Sequence, residues 1–333
     1  MKKLKLSIVI PVYNEVEVLP LLFERIISVL ESCKPSLNDY EIIFVNDGSS
    51  DQSLDFLSKL LKNNPHIIII NLSRNFGHQA AISAGLSEAR GEAAIVMDAD
   101  LQDPPELIPE MLKAWHEGFQ LVIARRRSRQ ERGLKLCLFN LFYSLFGFLS
   151  DYPITLNAGV YGLMDRVVID QLNRLTERNR FLPGLRSWIG FRETVVWYDR
   201  EERAAGKPKQ SLLNLLKYGF DAIFSFSYKP LRLSLLLGLT ISISSFTYAA
   251  VLLIMRLLQI NVVPGFTTPT ISILFLGGVQ LIGIGILGEY LGRIYDEVKQ
   301  RPIFIVDNIL RSTGNKKTNL FPENESANEP TGK

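Results

Sequence analysis

EAAIVMDADLQDPPE, residues 92–106, sets a short apolar run against Asp98 and Asp100, then adds Asp103, two prolines and Glu106. The run is of strand length and lacks polar alternation, which suits a strand buried on both faces. Carboxylates this close repel one another unless a cation or a donor-rich ligand sits among them. The stretch therefore poses a fold question and a chemical one.

Working outward, similar β-branched runs recur at LSIVIPV (6–12), EIIFVND (41–47), HIIIINL (66–72) and LVIAR (121–125), with EAAIVMD (92–98) among them. Helix-like stretches at 15–32, 51–63, 77–90 and 105–117 separate them. Strand–helix repetition predicts an α/β fold of Rossmann-like type, with a mostly parallel sheet and right-handed crossovers. Ligands of such sheets sit at the carboxyl ends of the strands. Asn14 and Glu15, Asp47, Arg74, and Asp98 with Asp100 all fall at such ends. The N-terminal MKKLKLSIVIPVYNE resembles a signal peptide superficially. Its apolar run is only about seven residues long and lacks a small-residue cleavage site, so it is expected to be the first strand of a domain that is not exported.

The chain has 333 residues, 47% of them hydrophobic. Its mean hydropathy of +0.13 is high for a soluble enzyme and low for a many-span transporter. The net charge of +3 is too small to argue for nucleic acid, and two cysteines exclude a disulfide framework. His66, His78 and His116 are scattered, with no zinc-type spacing.

RRRSRQERGLK (125–135) precedes the aromatic LCLFNLFYSLFGFL (136–149). That pairing reads as a surface against anionic headgroups or a phosphate, with a solvated loop as the plain alternative. Leu212, Leu215, Leu216, Phe220, Ile223 and Phe224 recur at helical spacing, predicting an amphipathic juxtamembrane helix over 211–230. Leu233 to Met255 and Thr270 to Gly288 are uncharged and long enough to span a bilayer. Lys229 and Arg232 flank the first stretch outside; Arg293, Lys299 and Arg301 follow the second. The connecting 257–269 carries no Lys or Arg, although Arg256 stands beside it. This predicts two spans in the cytoplasmic membrane with both termini and the N-terminal domain in the cytoplasm. Gly277, Gly278, Gly283, Gly285 and Gly288 suit close helix packing and homo-oligomerisation. Glu289 and Arg293 are spaced for an i,i+4 pair. The expected organisation is an α/β domain over 1–210, the juxtamembrane helix over 211–230, two spans over 231–295, and a tail over 296–333 whose end, from Ser312, is disordered.

The acidic corner admits two readings from its residues. Acids before Pro104-Pro105 suit a helix start, with Asp103 as the expected N-cap. Asp98 and Asp100 are not explained that way. Asp-x-Asp-x-Gln at a strand end offers carboxylates and an amide oxygen to a hard cation such as Mg²⁺ or Mn²⁺.

Together PVYNE (11–15), NDGSSD (46–51), RNFGHQAAISAGL (74–86), DADLQDPPE (98–106) and RAAGKPKQS (203–211) resemble the family 2 glycosyltransferases of GT-A fold. More narrowly they resemble polyprenyl-phosphate glycosyltransferases, the group of dolichol-phosphate mannose synthase and the bactoprenol glucosyltransferases. ILFLGGVQLIGIGILGEYLGRIYDEVKQRP (273–302) is similar to the bactoprenol branch. The resemblance implies sugar transfer from a nucleotide-sugar, UDP-glucose foremost and GDP-mannose behind it, to a polyprenyl phosphate at the membrane, by inverting single displacement. It implies that Pro11, Tyr13, Glu15, Asp47 and Asp98 hold the nucleotide-sugar. Asp100 and Gln102, with Asp98, would hold Mg²⁺ or Mn²⁺. Asp100, Asn157, Arg203 and Lys209 would form the catalytic set. Arg125, Arg126, Arg127, Arg129 and Arg132 would meet the lipid phosphate. Val160 and Gly162 stand where the family commonly has Asp and Arg, so Asn157 becomes the nearest polar candidate there. The Gln-x-x-Arg-Trp element of processive synthases has no match; Leu185-Arg186-Ser187-Trp188 departs from it. A non-catalytic nucleotide-sugar-binding assembly protein is the alternative from another class.

Overall fold

The computed structural model describes residues 4–33, 37–127, 158–199, 227–258 and 267–312. Its strands are β1 (Leu4–Val12), β2 (Leu37–Asn46), β3 (Ile67–Leu72), β4 (Ala93–Val96), β5 (Leu121–Arg126), β6 (Ala158–Asp165), β7 (Glu193–Tyr198) and β8 (Val306–Arg311). They form one sheet in the order β7-β5-β6-β4-β1-β2-β3-β8. All but β6 and β8 run the same way, so the sheet is mostly parallel, as the strand–helix repetition predicts. Strand order reverses between β1 and β4, the position where such sheets open a ligand crevice.

Period-two alternation sends each strand's side chains into two cores. Ile8, Ile10, Ile42 and Phe44 pack with Leu22 of α1 (Leu19–Ser32), Leu57 of α2 (Ser53–Asn63) and Met111 of α4 (Ile108–His116). Val9, Ile43 and Val45 pack with Ile82 of α3 (His78–Glu88), Ile169 of α5 (Arg166–Arg174) and Leu185 of α6 (Leu182–Ile189). Every residue of α3 from Ala80 to Leu86 is buried. A Cβ on Gly85 would overlap Val9 Cγ1, so the absent side chain lets α3 settle onto β1.

The end of the sheet away from the crevice is held by a buried polar knot. Ser7 Oγ donates to Glu41 Oε1 at 2.6 Å, and the Arg90 backbone N–H donates to the same oxygen at 2.6 Å. The Gly91 N–H donates to Ser7 Oγ at 2.8 Å. A carboxylate that accepts two donors is satisfied despite burial.

Beyond the sheet, α7 (Lys229–Leu257) and α8 (Thr267–Lys299) are long and apolar enough over Lys229–Leu252 and Phe275–Lys299 to cross a membrane. Their apolar side chains face outward, Leu235 at 71% and Phe246 at 77% exposure, which water disfavours and lipid does not. Of the five glycines expected to pack helices, only Gly283 comes close to α7 among the described residues, a Cβ there lying 3.3 Å from Ser234 Oγ. The expected i,i+4 pair forms, Arg293 Nη2 to Glu289 Oε1 at 2.9 Å. After α8 the chain returns to the sheet as β8, antiparallel to β3, with Arg311 Nη2 2.7 Å from Glu88 Oε2. The proposed juxtamembrane stretch up to residue 226 and the tail beyond residue 312 lie outside the described residues.

Glu41→Ala leaves Ser7 Oγ and the Arg90 amide buried without their acceptor, and is expected to lower unfolding free energy by about 1–3 kcal/mol. Denaturant unfolding of the detergent-solubilised chain measures it; unchanged stability would show that the knot contributes nothing. A Cβ on Gly162 of β6 would overlap the Val122 carbonyl of β5. Gly162→Ala is therefore expected to cost about 1–3 kcal/mol in the same assay, as overpacking does.

Candidate active site

At the crevice, two loops hold each other before any ligand is considered. Asn14, in a left-handed conformation at φ 55°, accepts the Ser50 N–H at 2.8 Å through Oδ1 and donates its own N–H to Ser49 Oγ. Asp51 Oδ2 accepts the Val16 N–H at 3.2 Å, and Ser53 Oγ accepts the Glu15 N–H at 3.0 Å. The motifs PVYNE and NDGSSD are thus one laced unit after β1 and β2. Pro11 is buried in β1, while Tyr13 stands half-exposed at the rim and Glu15 lies in the loop.

Asp47, which follows β2, is buried and accepts the Phe76 and Gly77 N–H groups at 2.7 and 2.9 Å. Burial raises its pKa above the usual carboxylate value; the two amides, His78 and Arg74 oppose that rise. Asp98, just past β4, places Oδ1 2.8 Å from His78 Nε2. Burial pulls the His78 imidazole down, but the Asp98 carboxylate more than offsets this, and its pKa lies above the ordinary histidine value. His78 belongs to a motif legible in the sequence, yet scattered histidine spacing hides its role. The fold places it at the start of α3, facing a strand end twenty residues away in sequence.

The Asp98–Asp103 turn is tight. Leu101 takes a positive φ of 62°, an uncommon conformation for a branched side chain, and Asp100 Oδ1 accepts the Gln102 N–H at 3.2 Å. Asp103 is not the expected N-cap. The helix opens instead with a 3-10 turn over Pro105–Leu107, capped by Pro104 without a side-chain bond. Asp103 is 3% exposed, accepting the Asp98 N–H at 3.1 Å and the Tyr198 hydroxyl at 3.0 Å. Burial, then the neighbouring Asp98 carboxylate, pushes its pKa up to about 7. The physical reason is topological: β7 brings Tyr198 beneath the turn, and no local sequence signal announces a partner so distant. Glu106, grouped with the helix start, pairs with Arg25 through two bonds of 2.9 and 2.7 Å.

Arg125 and Arg126 end β5 at the same sheet edge. The Arg125 guanidinium lies 4.9 Å over the Trp197 ring, and Arg126 Nε donates to the Tyr198 hydroxyl at 3.1 Å. Arg127 Nη1 is 4.0 Å from Asp199 Oδ2. Asn157, Arg129, Arg132, Arg203 and Lys209 lie outside the described residues.

The residues of this corner suit a hard divalent cation. Gln102 is 8% exposed, and its Oε1 finds no hydrogen-bond partner among the described residues. A buried acceptor left over beside two carboxylates suits an oxygen-seeking cation. Among the described residues no three His, Cys, Asp or Glu side chains gather into a ready-made cage, so the donor set is an open one.

Comparison with known proteins gives a consistent picture. The model of the family described as glycosyl transferase family 2 matches residues 7–172. An uncharacterized glycosyltransferase of Synechocystis sp. is 47% identical over 308 residues, covering 92% of this chain and 96% of that protein. An SfII prophage-derived bactoprenol glucosyl transferase of Shigella flexneri is 42% identical over 304 residues, covering 91% of this chain and 97% of that protein. Among solved structures, mannosyl-3-phosphoglycerate synthase from Rubrobacter xylanophilus aligns with a TM-score of 0.42 at 18% identity, over 66% of this chain and 72% of that one.

Asp47→Ala frees both loop amides that the carboxylate holds. It is expected to lower stability by about 1.5–3 kcal/mol, the scale of bonds to a charged group. Thermal unfolding with and without nucleotide measures the loss; a wild-type melting curve would show that Asp47 does not organise residues 76–77.

Proposed function

This chain belongs to glycosyl transferase family 2, and we propose that it moves a sugar from a nucleotide-sugar to the phosphate of a membrane polyprenyl phosphate. That it is a glycosyltransferase of GT-A-like fold is the premise; lipid acceptor, donor, metal and topology are the proposal. The observation that carries it is the placing of Asp98, Asp100 and Gln102 just past β4, the buried Gln102 Oε1 lacking a hydrogen-bond partner among the described residues, on a chain with two membrane-length helices. The bactoprenol glucosyl transferase likeness supports the acceptor class and favours UDP-glucose as donor.

In this reading Pro11, Tyr13, Glu15 and Asp47 line the nucleotide pocket, with Asp98 at its floor. Asp98, Asp100 and Gln102 hold Mg²⁺ or Mn²⁺, which when bound neutralises charge developing on the leaving diphosphate. Arg203 and Lys209 bring further positive charge, and Asn157 orients acceptor or sugar. Cations aimed at developing charge lower the barrier without a change of protonation. The acceptor phosphate is already ionised near neutrality, so inverting displacement needs no strong base. His78 keeps the Asp98 carboxylate in position. The catalytic domain and both chain ends lie on the cytoplasmic side, where the nucleotide-sugar is available.

Membranes carrying the protein are incubated with labelled UDP-glucose, polyprenyl phosphate and Mg²⁺ or Mn²⁺, then extracted with organic solvent. Lipid-soluble label is expected, and chelation with EDTA removes it. Asp100→Ala is expected to cut transfer at least about 100-fold, the scale seen when one group stabilising developing charge is lost, with the protein folded and membrane-bound. No lipid-soluble label with any nucleotide-sugar overturns the proposal; near-normal transfer by Asp100→Ala removes the metal assignment.

A further inference from the structure

A second concave site lies outside the carboxylate corner. A cavity of about 470 Å³ opens between the first turn of α3, residues 178–181, and the end of α8 with the segment that follows it. That volume is within the roughly 300–1,000 Å³ typical of small-molecule sites. Its charged lining is lopsided: Arg178, Arg180, Arg293, Lys299 and Arg301 face it against the single carboxylate of Asp296. A concave surface lined by one sign of charge concentrates ions of the other sign.

The lining is under-satisfied as well as cationic. The Nε atoms of Arg178 and Arg180 are buried and have no hydrogen-bond partner among the described residues. Buried guanidinium N–H groups call for an acceptor, and a phosphate offers several charged oxygens at once. Glu177 attracts Arg180, but its Oε2 is itself buried without a hydrogen-bond partner among the described residues and accepts from neither Nε. Glu297 accepts the Arg178 backbone N–H at 2.7 Å, and Glu289 holds Arg293. Burial lowers the Arg180 pKa, and the attraction of Glu177 opposes this only in part.

Position narrows the ligand. One wall is the charged end of α8, directly continuous with the apolar stretch from Phe275. The opposite wall includes His78, whose ring touches Asp98 of the donor corner. The cavity therefore lies between the membrane exit of the chain and the diphosphate-binding residues. Of the five arginines expected from the sequence to meet a lipid phosphate, Arg125 and Arg126 are engaged with Trp197 and Tyr198, and Arg129 and Arg132 lie outside the described residues.

We infer that this cavity receives the phosphomonoester headgroup of the polyprenyl phosphate acceptor, with Arg178 and Arg301 among its ligands and the hydrocarbon chain leaving along α8. The inference rests on the acceptor class proposed above. A monoester carries more charge than the diester of a bulk phospholipid, which matches five cations facing one acid.

The test is direct binding, independent of turnover. Full-length protein in phosphatidylcholine nanodiscs is titrated with labelled polyprenyl phosphate, and the bound lipid is competed with polyprenol, phosphatidylglycerol or inorganic phosphate. Wild type is expected to bind polyprenyl phosphate, with the three competitors ineffective at equal concentration. Arg178→Gln/Arg301→Gln is expected to weaken that binding at least about tenfold, and to raise the acceptor KM with the nucleotide-sugar KM unchanged. Arg178→Lys/Arg301→Lys keeps the charge and is expected to recover most of the affinity, which separates lost charge from lost fold. Unchanged lipid binding by the glutamine pair overturns the inference. Equal displacement by phosphatidylglycerol points to bulk anionic lipid, and by inorganic phosphate to a soluble anion; either result also overturns it. Wild type that binds the lipid through these arginines but transfers no sugar would retire the proposed function and leave the cavity assignment standing.

Discussion

The crevice depends on keeping several carboxylates close together where β1, β2 and β4 end. Asp47, Asp98 and Asp103 are each met by a different device. Asp47 takes two backbone amides from the turn before α3. Asp98 takes the ring of His78. Asp103 takes an amide of its own turn and a tyrosine hydroxyl from β7, and burial holds its pKa near neutrality, which relieves the repulsion from Asp98. Asp100 belongs to the same turn, where its Oδ1 accepts the Gln102 N–H. How each carboxylate is accommodated follows from which donors it can reach.

The second constraint is mechanical. A domain on a flexible tether would take random orientations to the helix that carries it. Here α8 does not lead into a free linker. Glu297, near its end, accepts the Arg178 N–H, and the chain continues into β8, which adds a strand to β3 and pairs Arg311 with Glu88. Asn71 of β3 also donates to Asp307. Each bond is modest alone, but a strand ladder and an ion pair together tie the sheet to the end of α8. The edge of β3 is covered by the same device, which leaves the short, polar β8 as the outer strand.

Local patterns explain how much of this was legible in the sequence. Buried parallel strands write themselves as apolar runs, and strand-end polar residues follow from topology, so β1 to β5 and the placing of Asp47, Asp98 and Asp100 could be read directly. Membrane-length helices and the Glu289–Arg293 pair are equally local signals. The missing elements are those whose partners are remote. Val306–Arg311 is too polar to read as a strand until β3 offers an edge. His78, Tyr198 and the burial of Asp103 depend on contacts across many residues, and helix-start rules misassign Asp103 because its real partner arrives from β7. Arg178 and Arg301 carry no motif; only the fold sets them facing one cavity.

The departure at Val160 and Gly162 gains a physical reading from the same topology. Gly162 pairs with Ile123 and Val96 in the middle of the sheet, and a Cβ there would collide with the Val122 carbonyl. An arginine at that position would force β5 away from β6, and with it Arg125 and Arg126 at the end of β5. Val160 is buried among apolar neighbours of the α3 side, where an ionised aspartate would need a partner. Arg186 of α6 reaches this spot, donating to the carbonyls of Val160 and Gly159 at 3.1 and 2.6 Å. Positive charge near the start of β6 is therefore supplied from a helix rather than from the strand itself. The same surface can be kept with different residues when backbone approach, rather than a side-chain pair, sets the spacing of two strands.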